Sequence, residues 1–367
     1  MLFGGLLVLF IASFFALGYF RRFALNARVL LDVPNHRSNH RRVTVRGAGI
    51  VFVAATLSAW IALACSAWAV PYLIPLICGS GLVAGVSFID DFAGLSIRVR
   101  LEAHLVGALL FLSAVPVPSF LEGMIGPFSV LWIPLTAFFM VAVINIYNFM
   151  DGIDGLVTLH SLCVLVSWVL FSMGGRDANT ETLLCLMLGF PLLSFLLHNW
   201  SPAKVFMGDV GSTFLGFTFA ALAVVQAPGI LRSANFFTLI MLMMPALFDA
   251  TFTILTRFLN GEKWYLAHNG HLFQRLVRGG LSHATVTSIY GALTVYMGVI
   301  VALIQRQVLV QSLEVTVLLV IPYLGLYFAA RRLEEEQGAQ PVSALSPLPP
   351  LAPVELKPQG ISITKSA

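Results

Sequence analysis

Apolar residues in this chain gather into long unbroken runs. They do not follow the two-residue or three-to-four-residue spacing of soluble strands and helices. A hydrocarbon core needs roughly 20 apolar residues per helix. Eleven runs approach that length: 2–20, 47–69, 72–89, 102–117, 128–147, 155–173, 182–198, 212–228, 235–255, 285–304 and 311–330. The pattern predicts an all-α, polytopic integral membrane protein with about 11 transmembrane helices, occupying residues 1–333. Residues 334–367 carry Pro, Ser, Gln and Ala with little apolar periodicity and are expected to form a disordered cytoplasmic tail. No basic residue precedes the first run, and Arg21 and Arg22 follow it directly. A secretory signal has the opposite charge order, so the run reads as an uncleaved span with its N-terminus outside.

Composition agrees with this reading. The 367 residues are 58% hydrophobic and 10% charged, with a mean hydropathy of +0.90. Soluble domains carry about 25% charged residues, so a soluble all-α protein is excluded. With the N-terminus outside, eighteen of the 21 Lys and Arg fall in cytoplasmic segments, and only Arg176, Arg232 and Arg306 fall outside. The positive-inside rule expects such a bias. The net charge of +4 is therefore a topology signal, and no nucleic-acid signature accompanies it. The four cysteines lie inside apolar runs without metal-ligand spacing and read as packing residues.

Every unusual polar cluster then falls at a cytoplasmic helix end or loop. Asp90 and Asp91 close the third span; adjacent carboxylates repel unless a cation or a proton intervenes. That suits a metal-binding or proton-accepting role, and equally a solvated helix end. Arg98 and Arg100 follow, either to face phosphate or to anchor the topology. The run NIYNFMDGIDGL holds Asn145, Asn148, Asp151 and Asp154 at intervals of three. If helical, they rise on one side, and their oxygens are of the type Mg²⁺ prefers. In KVFMGDVGS, Asp209 stands between glycines, as a helix cap, a metal ligand, or both. His268, His271 and Arg275 would share a helical face able to hold a diphosphate, or belong to a plain basic cytoplasmic loop. The basic loop Asp32–Ile50 ends in Gly47-Ala48-Gly49, which is a flexible entry to the second span or a phosphate contact.

These clusters, in this order over about residues 28–285, resemble the polyprenyl-phosphate N-acetylhexosamine-1-phosphate transferases. That family includes initiators of O-antigen and enterobacterial common antigen synthesis and the phospho-MurNAc-pentapeptide translocase. NIYNFMDGIDGL matches the family's Asn-x-x-Asn-x-x-Asp-Gly-x-Asp-Gly-Leu, Asp90-Asp91 its paired aspartates, Phe206–Asp209 its Gly-Asp motif, and His268–His271 its histidine loop. Two departures stand out: Phe92, Ala93 and Gly94 replace the lysine that often follows the aspartates, and the two histidines are separated by two residues instead of forming a compact triplet. They favour the O-antigen-initiating subgroup, with the pentapeptide transferase as the alternative.

The resemblance implies a bacterial inner-membrane enzyme with its site facing the cytoplasm. Lipid phosphate would attack the donor's β-phosphate and UMP would leave, so the partners are a UDP-N-acetylhexosamine or deoxy relative, undecaprenyl phosphate and membrane lipid. The implied cofactor is Mg²⁺, with Mn²⁺ as a substitute, and a homodimer is compatible with it. By the same resemblance Asn148 and Asp209 bind metal, and Asp90 or Asp91 accepts a proton or helps hold metal. Asn145, Asp151 and Asp154 line the donor pocket, and His268, His271 and Arg275 meet the diphosphate. The rival of another class is a secondary transporter, which would place its acids at the membrane midplane between repeats. Here they lie at one interface and no repeat is visible.

Overall fold

A computed structural model of the chain describes residues 2–33, 43–116, 131–173, 180–225, 233–263, 270–308, 313–336 and 338. His268, Arg176, Arg232, residues 34–42 of the basic loop and the tail beyond 338 lie outside the described residues. Among the described residues there are twelve helices. In chain order they are α1 (Leu2–Ala27), α2 (Gly49–Ala64), α3 (Leu73–Ala93), α4 (Ile97–Leu112), α5 (Trp132–Met150), α6 (Leu156–Met173), α7 (Thr180–Asn199), α8 (Gly208–Val225), α9 (Ser233–Leu259), α10 (Leu272–Arg278), α11 (His283–Gln305) and α12 (Leu313–Glu336). Each of the eleven apolar runs overlaps one helix among the described residues, and the short α10 is the twelfth. Seven helices (α1, α3, α5, α7, α8, α9 and α11) are long and apolar enough to cross a membrane, while α2 and α6 give shorter apolar helices. α12 runs through Glu336, beyond the expected domain end at 333.

The helices are layered around α8. Of its most apolar window 89% is buried, against 17% for the peripheral α1. Small residues permit this close packing. A Cβ on Gly216 would come 2.7 Å from the Ile144 Cα of α5, and one on Gly79 of α3 would come 2.8 Å from the Gly107 carbonyl of α4. Without a hydrophobic gain between helices in lipid, such close approach is how membrane bundles hold together.

The only strand pair among the described residues is β1 (Leu31–Asp32) against β2 (Thr44–Val45). β2 also reaches the segment before α8: Phe206 N–H donates to the Val45 carbonyl at 2.7 Å, and Ala48 and Gly49 N–H donate to the Phe206 and Met207 carbonyls at 3.1 and 3.0 Å. Gly49 is required at this crossing, because a Cβ there would sit 2.6 Å from the Met207 carbonyl oxygen. The basic loop is thereby laid along the entry to the central helix, at the end of the bundle where α3 and α5 finish and α4 begins.

Candidate active site

At this end three carboxylates and two guanidiniums interlock. Arg46, the residue after β2, forms an ion pair through Nε with Asp91 Oδ1 at 2.9 Å and donates Nη2 to Asp209 Oδ1 at 2.7 Å. Arg100, in the first turn of α4, donates Nη1 to Asp90 Oδ2 at 3.1 Å and lies 3.4 Å from Asp209 Oδ2. Burial alone would make the Arg46 guanidinium easier to deprotonate; Asp209 and Asp91 more than offset this and hold it above its ordinary value. Nothing in the sequence separates Arg46 from the other basic residues of its loop. Its partners come from the pairing of β2 with residue 205, which sequence patterning does not reveal.

The paired aspartates diverge. Asp91 accepts from the Asp209 and Val210 N–H groups at 3.0 and 3.2 Å, so its carboxylate caps the N-terminus of α8, where the unpaired N–H groups favour an anion. Its side chain is 0% exposed. Asp90 caps the other way: Leu95 N–H donates to it as α3 ends at Gly94, whose φ of 65° is the left-handed conformation glycine adopts freely. The Asp90 and Asp209 side chains keep 7% and 15% exposure. Of the three, Asp209 is the best placed to meet a ligand, and Asp91 the worst.

The asparagine-aspartate run changes conformation partway. α5 ends at Met150 with Asp151 as its cap, so only Asn145 and Asn148 keep the expected helical side. Asn145 Nδ2 bonds the Val141 carbonyl one turn back at 2.7 Å and lies 3.4 Å from His104 Nδ1. Asn148 Oδ1 accepts from Ser212 Oγ of α8 at 2.9 Å, which brings it to the helix that carries Asp209. Burial first, then the charge of Asp209, pushes the Asp151 carboxyl up to about 7. Asp154 does not continue the stripe. It lies in the turn before α6, 3.4 Å from His283 Nδ1, and accepts from the Ala203 N–H at 3.2 Å. Burial would raise the Asp154 carboxyl, but these bonds outweigh it and hold it below the ordinary value.

Asn199, to which the sequence assigned no role, ties this turn to the Asp209 segment. Its Oδ1 accepts from Gly155 N–H at 3.2 Å and Thr158 Oγ1 at 2.8 Å, and its Nδ2 donates to the Val205 carbonyl at 3.0 Å.

The histidine loop is arranged differently from expectation. His271 has extended backbone and precedes α10 instead of sharing its face. Its ring stacks on Phe273 at 5.6 Å and lies 6.4 Å from the Phe149 ring at the end of α5. Arg275 turns to α12, donating twice to Glu334 at 3.0 and 2.7 Å and lying over the Tyr327 ring at 5.3 Å. The structure therefore joins Asp90, Asp91 and Asp209 with Arg46 and Arg100, brings Asn148 to the same helix start through Ser212, and sets Asp151 within the field of Asp209, Arg46 and Asp91. It sets Asp154 and Arg275 into supporting contacts.

The donor set fits Mg²⁺. Among the described residues no three His, Cys, Asp or Glu side chains form a ligand group. Mg²⁺ needs no such cage: it keeps several waters and takes one or two carboxylates plus substrate phosphates. Asp209 and Asn148 offer hard oxygens on facing helices, with cationic Arg46 and Arg100 beside them.

Residues 73–227 match the model of glycosyl transferase family 4. The chain is 28% identical to a probable undecaprenyl-phosphate N-acetylglucosaminyl 1-phosphate transferase of Bacillus subtilis, over 69% of this chain and 71% of that protein. It is 28% identical to a decaprenyl-phosphate N-acetylglucosaminephosphotransferase of Mycobacterium leprae, over 56% of this chain and 58% of that protein. It is also 28% identical to a phospho-N-acetylmuramoyl-pentapeptide-transferase of Streptococcus pyogenes, over 59% of this chain and 70% of that protein.

Proposed function

We propose that this chain, whose residues 73–227 match the model of glycosyl transferase family 4, transfers an N-acetylhexosamine-1-phosphate from a UDP-sugar to undecaprenyl phosphate, releasing UMP, at the start of O-antigen or related envelope polysaccharide synthesis. The observation that carries this reading is the Asp209 cluster. An oxygen-rich cluster and two guanidiniums meet at the end of a membrane bundle, where a lipid phosphate and a water-borne nucleotide can both arrive.

A lipid-phosphate oxygen forms a bond to the donor's β-phosphorus. The bond from that phosphorus to the oxygen bridging the two phosphates breaks, and the electron pair leaves with UMP. Two anions must meet, so positioning and charge stabilisation carry most of the catalysis. Asp209 and Asn148 would hold Mg²⁺, which would supply charge neutralisation at the phosphates. Arg46 and Arg100 stand beside Asp209 and lower the repulsion between the phosphates. Asp90, more exposed than Asp91, is the one available to receive a proton from the lipid phosphate. Asp151 and Asn145 border the donor. We place the site at the cytoplasmic face of the bacterial inner membrane, with eleven helices crossing and the N-terminus outside.

The test is nucleotide release from purified protein with undecaprenyl phosphate, Mg²⁺ or Mn²⁺, and a panel of UDP-N-acetylhexosamines that includes UDP-MurNAc-pentapeptide. UMP that depends on both lipid and metal is expected. UDP would mean ordinary glycosyl transfer, and turnover of the pentapeptide donor alone would move the chain to peptidoglycan synthesis.

A further inference from the structure

Asp249 lies in the middle of an otherwise apolar stretch, LMMPALFDATF, within α9. A carboxylate within a membrane span is costly and usually marks function or a partner. Here its side chain is 1% exposed and its partners are known. Oδ1 accepts from Leu272 N–H at 2.8 Å, Thr253 Oγ1 at 3.2 Å and His271 Nδ1 at 3.3 Å. Oδ2 accepts from Phe273 N–H at 3.1 Å and from the Tyr290 hydroxyl of α11. Three elements, α9, α10 and α11, thus converge on one carboxylate.

A structural staple would need only the backbone donors and the tyrosine. The imidazole contact adds something else. When Nδ1–H is donated to a carboxylate, the tautomer and the rotation of the ring are both fixed, and Nε2 is the edge turned away from the carboxylate. That ring lies beside Phe149, the neighbour of Asn148, and its stacking partner Phe273 packs on Gly152, where a Cβ would come 2.9 Å from Cε2. The histidine is therefore held against the end of α5, next to the metal and donor residues.

We propose that Asp249, supported by Tyr290, is a positioning residue that holds His271 in the orientation and tautomer with which it meets the donor's diphosphate. This rests on the transferase reading above. It makes Asp249 act through His271 and not on the substrate.

The experiment is a double-mutant cycle on the full chain in detergent with Mg²⁺. It measures the dissociation constant of UDP-N-acetylglucosamine, and kcat where the UMP assay gives turnover. His271→Ala and Asp249→Asn are each expected to weaken donor binding by about ten-fold or more, the usual loss for a bond to a charged partner. The double variant should be no weaker than His271→Ala alone, since residues acting as one unit are not additive. Undecaprenyl-phosphate KM should stay unchanged. Effects that multiply in the double variant, or Asp249→Asn that binds donor like the wild type, would overturn the proposal.

Tyr290→Phe, which keeps volume and removes one donor to Asp249, covers the case in which Asp249→Asn fails to fold. It should weaken donor binding a few-fold with His271 present and not in the His271→Ala background. Equal effects in both backgrounds, or none in either, would reduce Tyr290 and Asp249 to structural supports and overturn the proposal. A wild type that neither binds donor nor releases UMP would instead sink the transferase reading itself.

Discussion

Asp91 and Asp209 share Arg46 but differ in everything else they touch. Asp91 is closed off and spends its oxygens on two backbone N–H groups of α8, whereas Asp209 keeps an exposed edge between two arginines. Asp91→Asn leaves one of those N–H groups facing an amide N–H₂, at a cost of about 1–3 kcal/mol. It should lower the unfolding midpoint in detergent and reduce UMP release together. Asp209→Asn should abolish Mg²⁺-dependent UMP release with the midpoint nearly kept, since it removes one of several crowded acids. Equal midpoints for the two variants would erase the distinction. Asp151 gives a pH signature. With its carboxyl pushed up to about 7, the folded protein keeps a proton that the unfolded chain releases from its ordinary value of 3.8 upward. The folded state then binds more protons, so stability falls as pH rises from roughly 4 to 7 and levels off above. Thermal unfolding in EDTA should show this slope, and Asp151→Asn should flatten it; an unchanged slope would place Asp151 in a wetter environment than its burial implies.

At the scale of elements, the site depends on how α8 begins. Gly208 has φ +73°, and a Cβ there would come within 2.7 Å of the Gly47 Cα, against the loop that carries Arg46. Gly208→Ala therefore meets both strain and a clash, and should cost about 1–3 kcal/mol. It should also lower UMP release at least ten-fold by moving Asp209; normal kinetics with a normal midpoint would show that the turn adapts. The ingredients of this element were legible in the sequence: Gly-Asp-x-Gly before an apolar run reads as a helix start. So were the paired aspartates and the Asn-Asp run, because charge inside an apolar span is costly and clusters of it collect at span ends. Partner choice was not legible. Arg275 follows His271 at helical spacing, yet it pairs with Glu334, 59 residues on, because α10 packs against α12. Asp249 carries a signal of its own, a single acid within an apolar run. The end of α5 at Met150 was also unreadable, since the spacing of three continues through Asp154 while the backbone turns at Gly152 and Gly155.

At the scale of the molecule, helix polarity and chemistry constrain one another. The ends of α1, α3, α5, α7, α9 and α12 and the starts of α2, α4, α6, α8 and α11 all lie at the end of the bundle that holds the carboxylates. Contacts from Arg21 to the Lys204 carbonyl at one edge and from Arg275 to Glu334 at the other mark its breadth. An alternating bundle of this kind puts Lys263, just past α9, on the same side as the site, and Arg306, at the end of α11, on the opposite side. The excess of basic residues on the site's side supports the proposal that this side faces the cytoplasm. In a background with Cys65, Cys78, Cys163 and Cys185 replaced, Arg306→Cys should react with a membrane-impermeant maleimide in intact spheroplasts. Lys263→Cys should react only after the membrane is opened. The reverse pattern would put the carboxylates and arginines outside, away from cytoplasmic UDP-sugars. No rearrangement of side chains could rescue the transferase reading from that result, because the donor would be on the wrong side of the membrane.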